Sequence, residues 1–173
     1  MQPARFKLCY PRYPRAYTKQ GLIYQLFSMT DPTGFASLFV LLVEDNPADV
    51  FLVQEAIQRE ALQVRLEVVE NGEDAIQIIQ KMESEPSANC PDLILLDLNV
   101  PRQPGDQVLK RIRSSFRMGR IPVIVMSSSE SPADRERLMK LGATDFFRKS
   151  ASLGDFMKLG PLLRTFCGGT QGS

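Results

Sequence analysis

A doubly wound α/β domain, with a five-stranded parallel sheet flanked by five helices, is the fold class this sequence predicts. From Leu38 onward, short apolar runs alternate five times with segments of helical period, which is the pattern of repeated βαβ units. Glycine or proline marks the turns from run to helix. Size agrees: 173 residues, 43% of them hydrophobic, can bury one sizeable core and leave little room for a second.

The strands are expected at Phe39 to Val43, Leu66 to Val69, Leu93 to Leu96, Val123 to Met126 and Asp145 to Arg148, runs with the length and apolar content of strands buried on both faces. Pro47 opens a helix whose Leu52, Val53, Ala56 and Ile57 share a face. Gly72 opens a second with Ala75, Ile78, Ile79 and Met82, and Gly105 a third with Val108, Leu109 and Ile112. The fourth starts at Pro132, and Leu153, Phe156 and Leu159 repeat the spacing in the fifth. Gly160 and Pro161 conflict with that last helix, because proline lacks the donor N–H and clashes with the preceding turn. A break there, with the second half displaced, is expected.

The boundaries that follow are a domain over residues 38–167, a basic extension over 1–37 and a flexible Gly-rich tail over 168–173. Residues 1–30 carry Arg5, Lys7, Arg12, Arg15 and Lys19 and no acid, whereas the rest of the chain holds 16 basic against 20 acidic residues. Leu22 to Met29 is interrupted by Gln25, so it lacks the continuous apolar stretch of a secretory signal. A basic, acid-free leader has the composition of a transit peptide. The preferred reading is a disordered arm or a misassigned start, with Met29 as the true initiator.

Composition excludes several function classes. Twenty-one Lys and Arg against twenty Asp and Glu give a net charge of +1, so nothing global points to nucleic acid or to a membrane surface, and a protein partner is expected. Cys9, Cys90 and Cys167 are odd in number and share no close spacing, which fits reduced thiols of a cytoplasmic protein. No apolar run reaches the ~18 residues of a membrane span. Histidine is absent, which removes imidazole base catalysis, His metal ligation and a phosphohistidine donor role.

Polar residues gather where the apolar runs end: Glu44 and Asp45 after the first, Asp97 after the third, Ser127 after the fourth and Lys149 after the fifth. In open parallel sheets, ligands bind outside the carboxyl ends of the strands at the point where strand order reverses. With order 2-1-3-4-5, the first and third strands are neighbours about 4.8 Å apart, and Asp97 sits beside Glu44 and Asp45. Three converging carboxylates repel each other unless a cation lies between them. Oxygen ligands without His or Cys favour a hard ion, and a site with few protein ligands favours Mg²⁺ over Ca²⁺. Ser127 offers a hydroxyl and Lys149 a compact cation to phosphoryl oxygens. Asp97 can attack phosphorus in line to form an acyl phosphate. Each residue has a bland alternative: a helix cap for the acids, a turn for Ser127, the surface for Lys149 and plain core for Phe146, which could also be an aromatic switch coupled to Ser127. Their coincidence at four strand ends favours the site.

The runs FVLLVEDNPADVFLVQEAI, PDLILLDLNVPRQPGDQVL, IPVIVMSSSE and GATDFFRKS resemble the receiver domains of bacterial response regulators, flavodoxin-like in fold, over roughly residues 38–166. The wording LVEDNPAD and LLDLNVP, with Ser150 after Lys149, most resembles small stand-alone regulators that partner bacterial phytochromes and other hybrid sensor kinases. The resemblance implies that Glu44 and Asp45 hold Mg²⁺, with Asp97 as phosphoacceptor and metal ligand and Asn99 lending its backbone carbonyl. It further implies Ser127 as the switch hydroxyl, Lys149 as the phosphoryl-pairing lysine and Phe146 as the switch aromatic. The partners it implies are a sensor or hybrid histidine kinase, a bacteriophytochrome among them, a downstream protein and optionally a second copy of the chain. Weak self-dephosphorylation would be the only enzymatic act, and Ser129 and Asn99 are expected to set its rate. Receivers often have Lys-Pro where this chain has Lys149-Ser150. A cis bond is not expected here, since non-proline cis costs ~3 kcal/mol.

The residues argue against two rival readings. A haloacid-dehalogenase-like phosphohydrolase needs a second Asp two residues after the nucleophile, and that position is Asn99. A pseudo-receiver, a phosphorylation-independent binding module, has no use for the five key positions that this chain retains.

Overall fold

The computed structural model describes residues 38–167. The expectations for residues 1–37, Cys9 and Met29 among them, and for residues 168–173 lie outside the described residues. The strands are β1 (Leu38–Val43), β2 (Val64–Val69), β3 (Leu93–Asp97), β4 (Val123–Ser127) and β5 (Asp145–Arg148). They form one parallel sheet of order β2-β1-β3-β4-β5. The helices are α1 (Pro47–Arg59), α2 (Gly72–Ser84), α3 (Gly105–Arg113), α4 (Pro132–Lys140), α5 (Leu153–Phe156) and α6 (Leu159–Cys167). The predicted doubly wound architecture is present. Among the described residues the cysteines Cys90 and Cys167 are free, no peptide bond is cis, and no helix is long and apolar enough to cross a membrane.

Local chemistry explains where the elements begin. All six residues of β1 and all five of β3 and β4 are buried, as apolar runs covered on both faces must be. Asn46 caps α1 through its side-chain oxygen, which accepts from the Ala48 N–H, and Pro47 follows at a position where its missing donor costs nothing. Asn71 caps α2 in the same way, accepting from the Asp74 N–H at 2.9 Å.

Strand alternation divides the core into two layers. On one side, Leu41, Val43, Ile94, Leu96, Val123 and Val125 pack against Ile79 of α2, Val108, Leu109 and Ile112 of α3, and Leu138 of α4. On the other, Val40, Leu42, Leu93, Leu95, Ile124, Met126 and Phe147 meet Val53 and Ala56 of α1, Phe156 of α5, and Leu159 and Leu163 of α6.

Several boundaries differ from the sequence reading: β1 and β2 begin earlier than expected, at Leu38 and Val64, because their ladder pairs Leu38 with Val64. Asp97 and Ser127 close β3 and β4 instead of following them, because the sheet ladder continues through the Asp97–Met126 and Ser127–Arg148 pairs. The fifth helix is divided into α5 and α6, and the break lies upstream of Gly160 and Pro161. A proline at position 161 cannot bond the carbonyl of Met157 four residues back and collides with it. That carbonyl instead accepts from the Gly160 N–H at 3.1 Å. Pro161 then falls in the first turn of α6, where an N–H has no intrahelical partner anyway. The displaced α6 lies tight on α1: a Cβ on Gly160 would stand 2.8 Å from the Ala56 carbonyl oxygen.

Gly105 brings α3 equally close to the strand that ends in Asp97, where an added Cβ would lie 2.4 Å from the Asp97 carbonyl oxygen. Gly105→Ala is therefore expected to lower stability by about 2 kcal/mol, a typical cost of forcing an extra methyl into filled space. The control is Gly154→Ala in α5, whose Cβ would meet nothing closer than the Ser152 hydroxyl at 3.8 Å, and which should be neutral. Urea unfolding checks both, and equal midpoints for the two variants would contradict the close approach.

Candidate acidic site at the strand ends

Register places the acidic residues together. Val43 pairs with Leu96, so the next step along each strand sets Glu44 beside Asp97. Alternation puts Asp97 on the same side of the sheet as Leu93 and Leu95, and Glu44 on the side of Val40 and Leu42, both facing α1. Carboxylate oxygens of Glu44, Asp45 and Asp97 lie within 4.8 Å of one another, the convergence expected from the sequence. Glu44 and Asp97 are buried and Asp45 is exposed.

Lys149, directly after β5, reaches into this group. Its Nζ donates to Glu44 Oε2 at 2.6 Å, to Asp97 Oδ2 at 2.7 Å and to Asp49 Oδ2 at 2.8 Å. Its backbone N–H donates to the Ser127 carbonyl, which ties the β5–α5 loop to the end of β4. The other oxygens are also engaged: Asp97 Oδ1 accepts from the Asn99 N–H at 3.0 Å, and Glu44 Oε1 from the Asn46 N–H at 3.1 Å.

Electrostatics follows from burial and charge. Loss of hydration is the main force pushing the Glu44 carboxyl up to about 7; the Asp97 charge adds to it and Lys149 opposes it. Burial alone would lower the Lys149 ammonium, but its three carboxylate hydrogen bonds reverse this and hold it above the ordinary lysine value. Glu44, Asp45, Asp49 and Asp97 bring four formal negative charges against the one positive charge of Lys149. An all-oxygen donor set with that excess fits a hard divalent cation held by Glu44, Asp45 and Asp97.

Two clefts adjoin at this edge. One, of about 410 Å³, is lined by Asp45, Asn46, Asp49, Asp97, Lys149 and Ser150, and the other, of about 370 Å³, by Ser127, Ser129, Asp106, Asp134 and Arg137. Asn99 and Ser128 line both. Ser127 is buried and its Oγ accepts from the Ser129 N–H at 3.1 Å. The Ser129 hydroxyl donates to Asp134 Oδ2 at 2.7 Å. Phe146 is half-buried and packs against the core layer on the α3 and α4 side, the side of Val125, two residues before Ser127. It therefore stands apart from the charged cluster.

Sequence reasoning missed Asp49. In the sequence it reads as an ordinary acid in the first turn of a helix, where the helix dipole favours negative charge. No spacing rule singles it out: Asp45 precedes the Asn46 cap and lies outside the helix, so helical periodicity does not relate the two acids. Only the packing of α1 on the sheet shows that Asp49 points at Lys149.

The profile of the response regulator receiver domain matches residues 40–159. Response regulator Rcp1 of Synechocystis sp. (strain ATCC 27184 / PCC 6803 / Kazusa) is 34% identical over 120 residues, covering 69% of this chain and 82% of that protein. Among solved structures, the phosphorylated cyanobacterial phytochrome response regulator RcpA is 32% identical with a TM-score of 0.70, over 79% of this chain and 98% of that one. The Mn²⁺-bound form of Rcp1 is 32% identical with a TM-score of 0.67, over 78% of this chain and 97% of that one. By profile, sequence and fold, the chain belongs to the response regulator receiver domain family of two-component systems.

Proposed function

We propose that residues 38–167 form a phosphoacceptor switch in which Asp97 takes a phosphoryl group from the phosphohistidine of a sensor kinase. The observation that carries this reading is the three-way contact of the Lys149 ammonium with Glu44, Asp49 and Asp97, at the buried end of a parallel sheet. In the reaction, an Asp97 carboxylate oxygen forms the bond to phosphorus while the phosphorus–nitrogen bond to the donor histidine breaks. The released imidazole takes a proton from water, and Asp97 becomes a mixed anhydride. Lys149 lies where its ammonium can pass from Asp97 Oδ2 to a phosphoryl oxygen. Glu44, Asp45, Asp97 and the Asn99 carbonyl are the proposed holders of Mg²⁺, which when bound neutralises charge on the transferring group.

The consequence is a population shift. The phosphoryl group adds charge and acceptor oxygens; Ser127 and Lys149 move toward it, and the face of α4, β5 and α5, which carries Phe146, follows. The signal then passes to a protein partner. A cytoplasmic phytochrome-type kinase is the favoured donor, because the similar RcpA is a phytochrome response regulator. Water attack on the anhydride resets the switch, and Asn99 and Ser129 are the proposed governors of that water, a reading supported by their lining of the adjoining cleft.

Acetyl phosphate with Mg²⁺ is expected to shift the purified chain on a phosphate-affinity gel, with no shift for Asp97→Asn or in EDTA. A shift that survives Asp97→Asn would place the acceptor elsewhere. No shift for either protein, together with no Mg²⁺ binding, would favour a phosphorylation-independent binding module.

Metal affinity should depend on pH. The Glu44 acid form persists up to about pH 7, and a metal requires the carboxylate, so protons compete below that value and are displaced above it. Apparent Mg²⁺ affinity is expected to rise about tenfold from pH 6 to pH 8, the size set by one group titrating near the middle of that window. Titration followed by calorimetry checks this, and a flat profile would mean that Glu44 is ionised throughout.

A further inference from the structure

We propose that Asp49 is a positioning residue for Lys149, the carboxylate that keeps the ammonium at the reaction site while Glu44 and Asp97 engage a metal ion and a phosphoryl group. This rests on the phosphoacceptor reading of the site and assigns it a further member. The ammonium has three protons and three carboxylate partners, at 2.6 Å, 2.7 Å and 2.8 Å. Two of those partners, Glu44 and Asp97, belong with Asp45 to the group whose oxygens converge on a cation position. Asp49 is outside that group. A cation and a phosphoryl group would therefore redirect the first two contacts and leave the third.

The two ends of this third contact differ in rigidity. Asp49 stands in the first turn of α1, whose start is fixed by the Asn46 cap and Pro47. Lys149 leaves the end of β5 on a flexible four-carbon stem, in a loop tied to β4 through the hydrogen bond from its own backbone N–H to the Ser127 carbonyl. Without Asp49, the ammonium has an acceptor on α1 no longer, and its remaining partners are the two groups that the reaction itself occupies. Both side chains are largely shielded, Lys149 at 12% and Asp49 at 19% exposure, so the pair is less screened than an ion pair on the open surface.

The test uses the full chain with Mg²⁺ and acetyl phosphate, comparing Asp49→Ala, Asp49→Asn, Lys149→Ala and the double variant Asp49→Ala with Lys149→Ala. Asp49→Ala is expected to slow phosphorylation of Asp97 on the order of tenfold, and Asp49→Asn, which keeps an acceptor oxygen, to recover part of the rate. In the Lys149→Ala background, Asp49→Ala should add less than about twofold, because residues acting through one contact are not additive. Equal slowing in both backgrounds, or none in either, overturns the proposal while leaving the phosphoacceptor reading intact.

An NMR signal from the Lys149 ammonium in the Mg²⁺-loaded protein gives a second readout. It should persist in the wild type and Asp49→Asn and disappear in Asp49→Ala; its persistence in Asp49→Ala overturns the proposal. Magnesium affinity should change less than about threefold in Asp49→Asn, since Asp49 is not among the converging ligands. A loss of tenfold or more would instead make Asp49 a metal ligand. If the wild type takes no phosphate, the phosphoacceptor reading fails, and the ammonium signal alone decides whether Asp49 positions Lys149.

Discussion

Carboxylates at the end of a hydrophobic sheet lose hydration and gain each other's repulsion, and the ammonium of Lys149 offsets both at once for Glu44, Asp49 and Asp97. The strand order, the pairing of β5 and the packing of α1 all serve that contact. The order β2-β1-β3 makes Glu44 and Asp97 neighbours, although about 50 residues separate them in sequence. Parallel pairing of β5 with β4 brings Lys149 to the same edge. One cation does not balance four carboxylates, and the remaining negative charge makes this edge a place for a divalent ion.

Alternation along the strands divides the site by side of the sheet. Glu44, Asp97 and Lys149 share the parity of Val40, Leu95 and Phe147 and face α1, α5 and α6. Ser127 shares the parity of Val125, and Phe146 packs in the layer of α3 and α4. In the proposed function, charge therefore changes on one side of the sheet and the packing response at Phe146 occurs on the other. The strand ends are the route between them, where Ser127 both closes β4 and accepts the Lys149 backbone N–H.

The helices around the site trade regularity for closeness. α3 starts against the Asp97 backbone because position 105 carries no side chain. The last helix is broken into α5 and α6 by Pro161, and α6 then lies on α1, with Arg164 donating to the Glu60 carboxylate at the C-terminal end of α1. The same helix α1 carries Asp49 at its other end. Support of α1 from α6 thus bears on the geometry of the ammonium contact.

Much of this was legible in the sequence. Runs such as Leu93–Leu96 read as strands covered on both faces from their length and continuous apolar content, and the faces of Ala75, Ile79 and Met82 or of Val108, Leu109 and Ile112 read as helix because one-sided burial imposes a period of 3.6 on the apolar residues. Glu44, Asp45, Asp97, Ser127 and Lys149 stood out as polar residues at the ends of apolar runs, a position that topology converts into proximity. Tertiary structure decided the rest. Asp49 looks like any first-turn acid until α1 packs on the sheet and turns it to Lys149. Where the last helix breaks depended on which carbonyl Pro161 would meet, and the separation of Phe146 from the charged cluster on which side of the sheet it packs. Sequence period determines which residues are inside; which of them touch is settled only when distant elements meet, because hydrogen bonds and ion pairs act over a few ångströms in space and not along the chain.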